Sequence, residues 1–346
     1  MNSAGLRWQQ QKTMARKEGR HMDKRTRVLN AMDGKVVDHV PVGFWYHYSG
    51  EEAKGQACVD AHVKYYTDTD LDFVKIMDDS YAAYPVFGVK KPEDLEHQLP
   101  LEENDPWIQE QIERARKIVE ALGKDRCIFY NVFCPYSFLK MGLETLGIPR
   151  QTFDRWAKEY PLSVMKGLDA VQQTTAMLAE KLITEAGCDG IYYPVQNAEI
   201  GNFTPEEYRR IIRPSDLFVL ERMNRYSDYN ILHMCGWAGN KNQMFLWKDY
   251  PAKVVNWAVH VEGLSLAEGR FFIGGRTALG GFETHWDSTS HRGLIYSGTK
   301  EEIQEYTRQI ILNFGKQGLM LGGDCTVDAK IDWDHIKWVV ETARSI

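Results

Sequence analysis

The stretch Gly190–Cys235, GIYYPVQNAEIGNFTPEEYRRIIRPSDLFVLERMNRYSDYNILHMC, contains the pattern that decides the fold. It opens on a run of β-branched and aromatic residues, GIYYPV, and closes on another, YNILHMC, and such runs favour β-strands. Between them, Thr204–Glu207 (TPEE) supplies a capping residue, a proline at the first helical position and a glutamate three residues after the cap. This is the signature of a helix start. The stretch therefore predicts a strand, a helix and a second strand.

The same alternation recurs along the chain and gives eight predicted strands. Several of them are almost continuously apolar, as parallel strands are when helices cover both faces of the sheet. A second helix start, Thr299–Glu302, repeats the capping signature. Eight strand–helix units favour a single (β/α)8 TIM barrel over a doubly wound open sheet. The predicted strands are Val40–His47, Asp72–Met77, Cys127–Phe133, Gly190–Val195, Tyr229–Cys235, Val254–Val259, Phe271–Gly275 and Gly318–Gly323.

Composition narrows the class of protein. Of the 346 residues, 43% are hydrophobic and 26% are charged, which is the balance of a globular protein. The 42 basic and 48 acidic residues give a formal charge of -6, so we expect no binding to nucleic acid or to an anionic membrane. No run approaches the roughly 18 apolar residues of a membrane span or resembles a signal peptide, so we expect a cytoplasmic protein. We expect a barrel domain over residues 22–346 and a polar, disordered extension over residues 1–21.

Three residues predict a metal site at the mouth of this barrel. His233 and Cys235 end the fifth predicted strand, and positions two apart in a strand point to the same side. Cys325 follows the eighth predicted strand, and the carboxyl ends of all strands meet at the active-site face of a TIM barrel. One nitrogen and two sulfur ligands suit Zn2+, and a site with three protein ligands leaves a position for substrate. The other cysteines are interpreted as reduced structural thiols; they are Cys58, Cys127, Cys134 and Cys188.

Further candidates follow other predicted strands. Glu199, Glu262 and His260 are candidates for catalysis, as a fourth ligand, a proton acceptor or a substrate contact, although such residues are also common as solvated or structural groups. Arg276 is expected after the seventh strand, where its planar guanidinium would bind a carboxylate or sulfonate. The remaining candidates for substrate binding are Trp45, Tyr46, His47, Asp78 and Asn197.

Several segments together resemble the uroporphyrinogen decarboxylase superfamily. They are Arg27–Met32 (RVLNAM), Asp38–Val42 (DHVPV), His233–Gly236 (HMCG), Gly298–Ile303 (GTKEEI) and Gly323–Val327 (GDCTV). The resemblance spans nearly the whole chain after Met22, and it implies a TIM barrel. The HxCG motif with a late cysteine is similar to the zinc-dependent branch that contains the methylcobamide:coenzyme M methyltransferases. That likeness implies Zn2+ on His233, Cys235 and Cys325, a methylcorrinoid that is free or carried by a partner protein, and a small thiol as the other substrate.

Departures from the family pattern leave other functions open. The decarboxylases carry an arginine-rich loop after the first strand and a late Gly-His-Gly segment, whereas this chain has Gly43–Tyr48 (GFWYHY) and Gly323–Cys325 (GDC) there, which disfavours porphyrinogen decarboxylation. The polar segment Phe282–Ser297 and the turn Asp328–Asp332 differ from the methyltransferase pattern. They keep open a zinc-dependent lyase or transferase that acts on another sulfur compound. A corrinoid-docking protein without turnover is a third alternative.

Overall fold

A computed structural model describes residues 22–236, 239–285 and 290–346. The predicted extension over residues 1–21 and positions 286–289 of the polar segment Phe282–Ser297 therefore lie outside the described residues. Eight parallel strands form one sheet that nearly closes into a barrel, which confirms the predicted TIM barrel. The strands are β1 Val42–Gly43, β2 Phe73–Ile76, β3 Cys127–Asn131, β4 Gly190–Val195, β5 Ile231–Met234, β6 Val254–Trp257, β7 Thr277–Phe282 and β8 Leu319–Gly323.

Helices surround this sheet and connect its strands. Both predicted capping boxes are confirmed, since the side chains of Thr204 and Thr299 each accept a hydrogen bond from the backbone of the glutamate three residues later. No helix in the described part of the chain is both long enough and apolar enough to cross a membrane. The helices are α1 Lys24–Met32, α2 Gly55–Asp68, α3 Pro106–Leu122, α4 Pro135–Thr145, α5 Arg150–Glu159, α6 Pro161–Thr184, α7 Pro205–Ile211, α8 Arg213–Met223, α9 Val259–Glu262, α10 Leu266–Phe272, α11 Leu294–Ser297, α12 Lys300–Phe314 and α13 Trp333–Ser345.

A buried aspartate joins the first and second strands at the amino-terminal end of the barrel. Asp72 donates its backbone N–H to the Val42 carbonyl at 2.9 Å, and its Oδ2 accepts the Val42 N–H at 2.8 Å. Arg27 of α1 lies against it, with 2.8 Å between Nη1 and Asp72 Oδ1 and 2.7 Å between Nε and Asp38 Oδ1. Because a buried charge is stable only when it is paired, Arg27 and Asp38 of the amino-terminal motifs fasten α1 beneath the sheet. Their role is structural.

The predicted seventh strand is wrong. Phe271 and Phe272 form the last turn of the helix α10, which begins with a capping box between Ser265 and Glu268. Phe271 is 89% exposed. Gly274 and Gly275, with φ of 70° and 77°, then turn the chain into the true strand β7. The aromatic pair in FFIGG resembles a strand in composition, but the capping signal before it carries more weight.

This shift also corrects the expected position of Arg276. Arg276 precedes β7 and lies at the amino-terminal end of the barrel, so it is not at the predicted mouth. Its guanidinium donates to four backbone carbonyls, those of Ile273 at 2.7 Å, Tyr250 at 2.6 Å, Ala252 at 3.4 Å and Lys248 at 2.7 Å. Arg276 therefore holds two loops together at the end of the barrel opposite the predicted substrate site.

Candidate metal centre at the barrel mouth

The structure brings the three predicted metal ligands together. One ligand atom each from His233, Cys235 and Cys325 can be chosen so that all three lie within 4.8 Å of one another. His233 belongs to β5, and Cys235 is the first residue after that strand. Cys325 comes two residues after the end of β8. The fold therefore places all three at one end of the barrel. His233 and Cys235 are buried, and Cys325 is partly exposed. Of the three residues, Cys325 is therefore the least buried.

The donor set fits Zn2+. Zinc–sulfur bonds of about 2.3 Å and zinc–nitrogen bonds of about 2.0–2.1 Å put one ion within reach of three atoms this close together. His233 Nδ1 is buried and has no hydrogen-bond partner among the described residues. Burying an imidazole nitrogen without a hydrogen-bond partner costs free energy. A bound ion would offset this cost and would fix the tautomer of the histidine. The residues present are thus suited to hold zinc with one open position.

Hydrogen bonds position Cys235. Its backbone N–H donates to the Val195 carbonyl at 3.1 Å, and Asn242 Nδ2 donates to its carbonyl at 3.0 Å. Gln196, directly after β4, donates from Nε2 to Cys235 Sγ at 3.3 Å. Ser137 of α4 in turn donates from Oγ to Gln196 Oε1 at 3.1 Å. The thiol is therefore oriented by a chain of side chains that starts on a neighbouring helix.

Cys325 is held from the other side of the mouth. Its backbone N–H donates to Thr284 Oγ1 at 3.0 Å. A hydrogen bond with Cys235, together with His233 and the positive charge of Lys75, lowers the pKa of the Cys325 thiol well below its usual range, against the effect of burial. Both cysteines of the group are thus placed by contacts outside the group itself.

A buried lysine lies beneath the cluster, and sequence reasoning missed it. Lys75 of β2 is 4% exposed, and its Nζ lies 3.8 Å from the ring centroid of Tyr192 and 4.8 Å from that of Trp45. Burial lowers the pKa of Lys75 to about 8, and the negative charges of Cys325, Asp78 and Cys235 oppose that shift. The signal in the sequence was a single charged residue inside the otherwise apolar run Phe73–Met77 (FVKIM).

Tyr192 and Asn256 complete this layer of the barrel. The Tyr192 hydroxyl donates to Asn256 Oδ1 at 2.7 Å, and its ring centroid is 5.4 Å from that of His233. Asn256 Nδ2 donates to the carbonyls of Leu279 at 2.8 Å and Gly323 at 3.2 Å. Since Gly323 is the last residue of β8, this network links the floor of the site to the segment that carries Cys325.

The acidic candidate Asp78 is buried beside the same layer. Asn131 Nδ2 donates to Asp78 Oδ1 at 2.7 Å, while Asp78 Oδ2 has no partner among the described residues. Burial, with the nearby charge of Asp79, raises the pKa of Asp78 to about 6. Asp79 itself accepts the Tyr48 N–H at 2.7 Å and pairs with the half-exposed His47. Asp78 therefore has one carboxylate oxygen left for another partner, whereas His47 is already paired with Asp79 at the rim of the barrel.

Trp45 and Tyr46 are part of the core at the top of the barrel. Trp45 is 2% exposed, and its ring centroid lies 5.1 Å from that of Tyr192. Tyr46 is 6% exposed and packs edge-on against Tyr65 at 4.8 Å. Trp45 thus lines one side of the side-chain layer that contains Lys75, whereas Tyr46 packs against its aromatic neighbours.

The three candidates for catalysis have separate environments. Glu262 accepts hydrogen bonds from the backbone N–H of Asn242 at 3.1 Å and from its Nδ2 at 2.8 Å, so it fastens the loop after Cys235. Glu199 forms a backbone bridge to Asn242, and its Oε2 is buried without a partner among the described residues. His260 Nδ1 lies 2.8 Å from Asp324 Oδ2, and this hydrogen bond raises the pKa of His260. Asp324 is the residue before Cys325, and sequence reasoning did not select it.

Asn197 has a strained backbone and a fully engaged side chain. Its φ of 70° is uncommon for a residue other than glycine. Its Nδ2 donates to Ser137 Oγ at 3.1 Å, and its Oδ1 accepts from Lys140 Nζ at 2.9 Å. Tyr136, also near the mouth in sequence, donates to Asp154 Oδ1 at 2.9 Å. Asn197 therefore supports the loop that carries Gln196.

Comparison with known proteins identifies the family. A family model described as Uroporphyrinogen decarboxylase (URO-D) matches residues 67–346, so the chain belongs to this family. Its fold is similar to that of a methyltransferase from Methanosarcina mazei, with a TM-score of 0.74 and 16% identity over 94% of this chain and 99% of that one. It is also similar to a putative vitamin-B12 independent methionine synthase from Listeria monocytogenes, with a TM-score of 0.51 and 13% identity over 89% and 96%. At these identities the likeness shows a shared fold. No curated protein matches the sequence.

Proposed function

We propose that this protein is a zinc-dependent methyltransferase that moves a methyl group between a methylcorrinoid and a small thiol. The observation that carries the proposal is the convergence of His233, Cys235 and Cys325 at the mouth of a barrel of the uroporphyrinogen decarboxylase family. Two sulfurs and one nitrogen with an open fourth position suit catalytic zinc. Zinc bound there would lower the pKa of a substrate thiol and hold its sulfur as a thiolate.

The reaction then requires few groups from the protein. The thiol loses its proton to solvent, a sulfur–carbon bond forms to the methyl group, and the carbon–cobalt bond breaks with its electron pair left on cobalt. The chain's own residues position the sulfur: Gln196 and Thr284 hold Cys235 and Cys325 from two sides. The corrinoid is free or carried by a partner protein, and it approaches from the mouth, on the side where Cys325 is partly exposed.

The first test is the metal content of purified protein. We expect about one zinc per chain in the wild type and its loss in Cys325→Ala and in Cys235→Ala. Cys188→Ala is the matched control, because Cys188 is buried away from the cluster. The zinc protein is then mixed with methylcobalamin and 2-mercaptoethanol, and loss of the methylcobalamin absorbance is followed.

The outcomes separate the competing functions. Zinc-dependent demethylation of methylcobalamin supports the proposed transfer. Zinc without any thiol-dependent demethylation would instead indicate a docking protein or a zinc-dependent enzyme for another sulfur compound. Normal zinc content in Cys325→Ala would remove the assignment altogether.

A further inference from the structure

The buried Lys75 has an unusual environment for a cation. The other residues of β2 are apolar, Phe73, Val74 and Ile76, and the strand is covered on both sides. The Lys75 ammonium contacts the faces of Tyr192 and Trp45, but it donates no hydrogen bond and forms no ion pair within residues 22–236, 239–285 and 290–346. Buried charges are ordinarily paired, because removal from water is costly. The negative groups of the chain that act on this ammonium are Cys325, Asp78, Cys235 and Asp79, and neither carboxylate forms an ion pair with it among the described residues. The cation therefore has capacity for a further anion that comes from outside the chain.

The position of Lys75 indicates where that anion would lie. The Tyr192 ring that Lys75 contacts is also in contact with the His233 ring, at 5.4 Å between centroids. The hydroxyl of the same tyrosine is linked through Asn256 to the end of β8, two residues before Cys325. Lys75 is thus in the side-chain layer directly next to the metal ligands.

The net charge of the metal and its ligands indicates what Lys75 does in the proposed reaction. Zinc with two thiolates and a neutral imidazole carries no net charge, and water or an intact thiol in the fourth position leaves it neutral. A substrate thiolate makes the group an anion, which a buried site of low dielectric disfavours. A cation in the next layer offsets this negative charge and stabilises the deprotonated substrate relative to the intact thiol.

We propose that the Lys75 ammonium is the electrostatic partner of the substrate thiolate and favours loss of the thiol proton at the metal site. The inference rests on the proposed function. When the thiol binds, its S–H bond breaks, the electron pair stays on sulfur and the proton leaves to solvent. The positive charge of Lys75 stabilises the negative charge on the sulfur, and Lys75 does not itself accept the proton.

The test compares thiol binding by four proteins loaded with Co2+ in place of zinc: wild type, Lys75→Met, Lys75→Arg and Lys64→Met. Lys64→Met is the matched control, because Lys64 also lies over an aromatic ring, that of Trp333 at 5.2 Å, but on the outer surface. Each protein is titrated with 2-mercaptoethanol and with 2-mercaptoethanesulfonate. Binding is followed by the sulfur-to-cobalt charge-transfer band, and proton release is measured in weak buffer.

We expect Lys75→Met to keep about one metal per chain, and to bind both thiols roughly tenfold or more weakly at neutral pH. Its binding curve should shift to higher pH, because more hydroxide is needed to remove the thiol proton without the cation. Lys75→Arg should recover most of the affinity, and Lys64→Met should match the wild type.

Three results would overturn the inference. The first is unchanged thiol affinity in Lys75→Met. The second is weaker binding of the sulfonate thiol alone, which would make Lys75 a site for the substrate's tail. The third is loss of metal in both Lys75 variants, which would make Lys75 a structural residue.

A separate outcome concerns the proposed function itself. If the wild-type protein holds metal but binds no thiol on it, the proposed function fails, and the variants are not needed to reach that conclusion.

Discussion

Gln196 Nε2 donates a hydrogen bond to the sulfur of Cys235 over 3.3 Å, so a residue from the loop after β4 acts directly on a proposed metal ligand at the end of β5. A hydrogen bond to a metal-bound thiolate withdraws electron density from sulfur, and it also fixes the orientation of the side chain. In a site where the substrate sulfur must be the reactive one, such a bond keeps the protein sulfur less nucleophilic. Ser137 holds the other end of the Gln196 amide at 3.1 Å, which leaves the amide little freedom to turn away.

The variant Gln196→Leu tests this relationship. We expect it to retain the metal, but with the charge-transfer band of the Co2+ protein moved to lower energy, because the Cys235 sulfur gains electron density. The absorption spectrum of the metal-loaded variant is the measurement. Gln243→Leu is the control, since the Gln243 amide donates to the Phe203 carbonyl at 2.8 Å and touches no sulfur. Identical spectra for wild type and Gln196→Leu would show that the hydrogen bond has no electronic effect.

Gly323 is predicted to be essential for the position of Cys325. A Cβ at Gly323 would lie 2.5 Å from the carbonyl oxygen of Cys325 and 2.7 Å from Thr284 Cγ2, so backbone atoms would have to move. We expect Gly323→Ala to fold but to bind zinc at least about tenfold more weakly, as other changes around metal ligands do. Competition with a chromophoric chelator measures the affinity. Gly167→Ala, in α6 against Leu95, should leave zinc affinity unchanged. Wild-type affinity in Gly323→Ala would mean that the segment yields without disturbing the site.

Arg276 is predicted to matter for stability and not for substrate. Its four hydrogen bonds to backbone carbonyls would be lost in Arg276→Met, which leaves the carbonyls of the buried residues Ile273 and Tyr250 without this donor. We expect the free energy of unfolding to fall by roughly 2–4 kcal/mol, measured by urea denaturation. The affinity of the metal site for thiols should stay within about twofold of wild type. A selective loss of affinity for an anionic thiol in Arg276→Met would restore the sequence-based expectation.

The barrel and the proximity of His233, Cys235 and Cys325 could be predicted from the sequence, because both depend on short-range patterns. That these three residues bind a metal stays a prediction. Apolar runs mark parallel strands, and the two-residue spacing of His233 and Cys235 puts both side chains on one side of β5. The true β7 was not found because Gly280 and Gly281, with φ of 141° and 111°, give that strand the composition of a turn.

Lys75 was missed for a different reason. One charge in an apolar run is consistent with an outward-facing side chain, and only the closed barrel shows which alternate residues point inward. The same holds for Asp324 and Asn256, whose partners His260 and Gly323 come from other strands or the helices after them. Contacts between distant segments depend on register and closure, which no single stretch of sequence contains.

Asp216 of α8 is predicted to make the stability of this protein depend on pH. The carboxyl is fully buried and accepts hydrogen bonds on Oδ2 from Tyr208 at 2.8 Å and Tyr250 at 2.9 Å, while the thiol of Cys134 also lies against it. Burial raises the pKa of Asp216 to about 7, because the charged form loses its hydration and the hydrogen bonds only partly offset this. Trp247 donates to the Tyr208 hydroxyl at 2.7 Å, so the cluster also anchors the segment between β5 and β6.

The sign of the effect follows from proton binding. Between about pH 4 and pH 7 the folded state keeps the proton on Asp216 and the unfolded state has lost it, so this contribution to stability decreases as pH rises. We expect the difference in unfolding free energy between wild type and Asp216→Asn to fall by up to about 1.4 kcal/mol per pH unit over that window and to level off above it. Urea denaturation at pH 5, 6, 7 and 8 measures it. Asp249→Asn, at an exposed carboxylate whose pKa the Arg213 side chain lowers, should show no slope over the same range. If the difference in unfolding free energy between wild type and Asp216→Asn also does not change with pH, the Asp216 carboxylate is charged in the folded protein at pH 5. The cluster would then not contain an uncharged carboxyl.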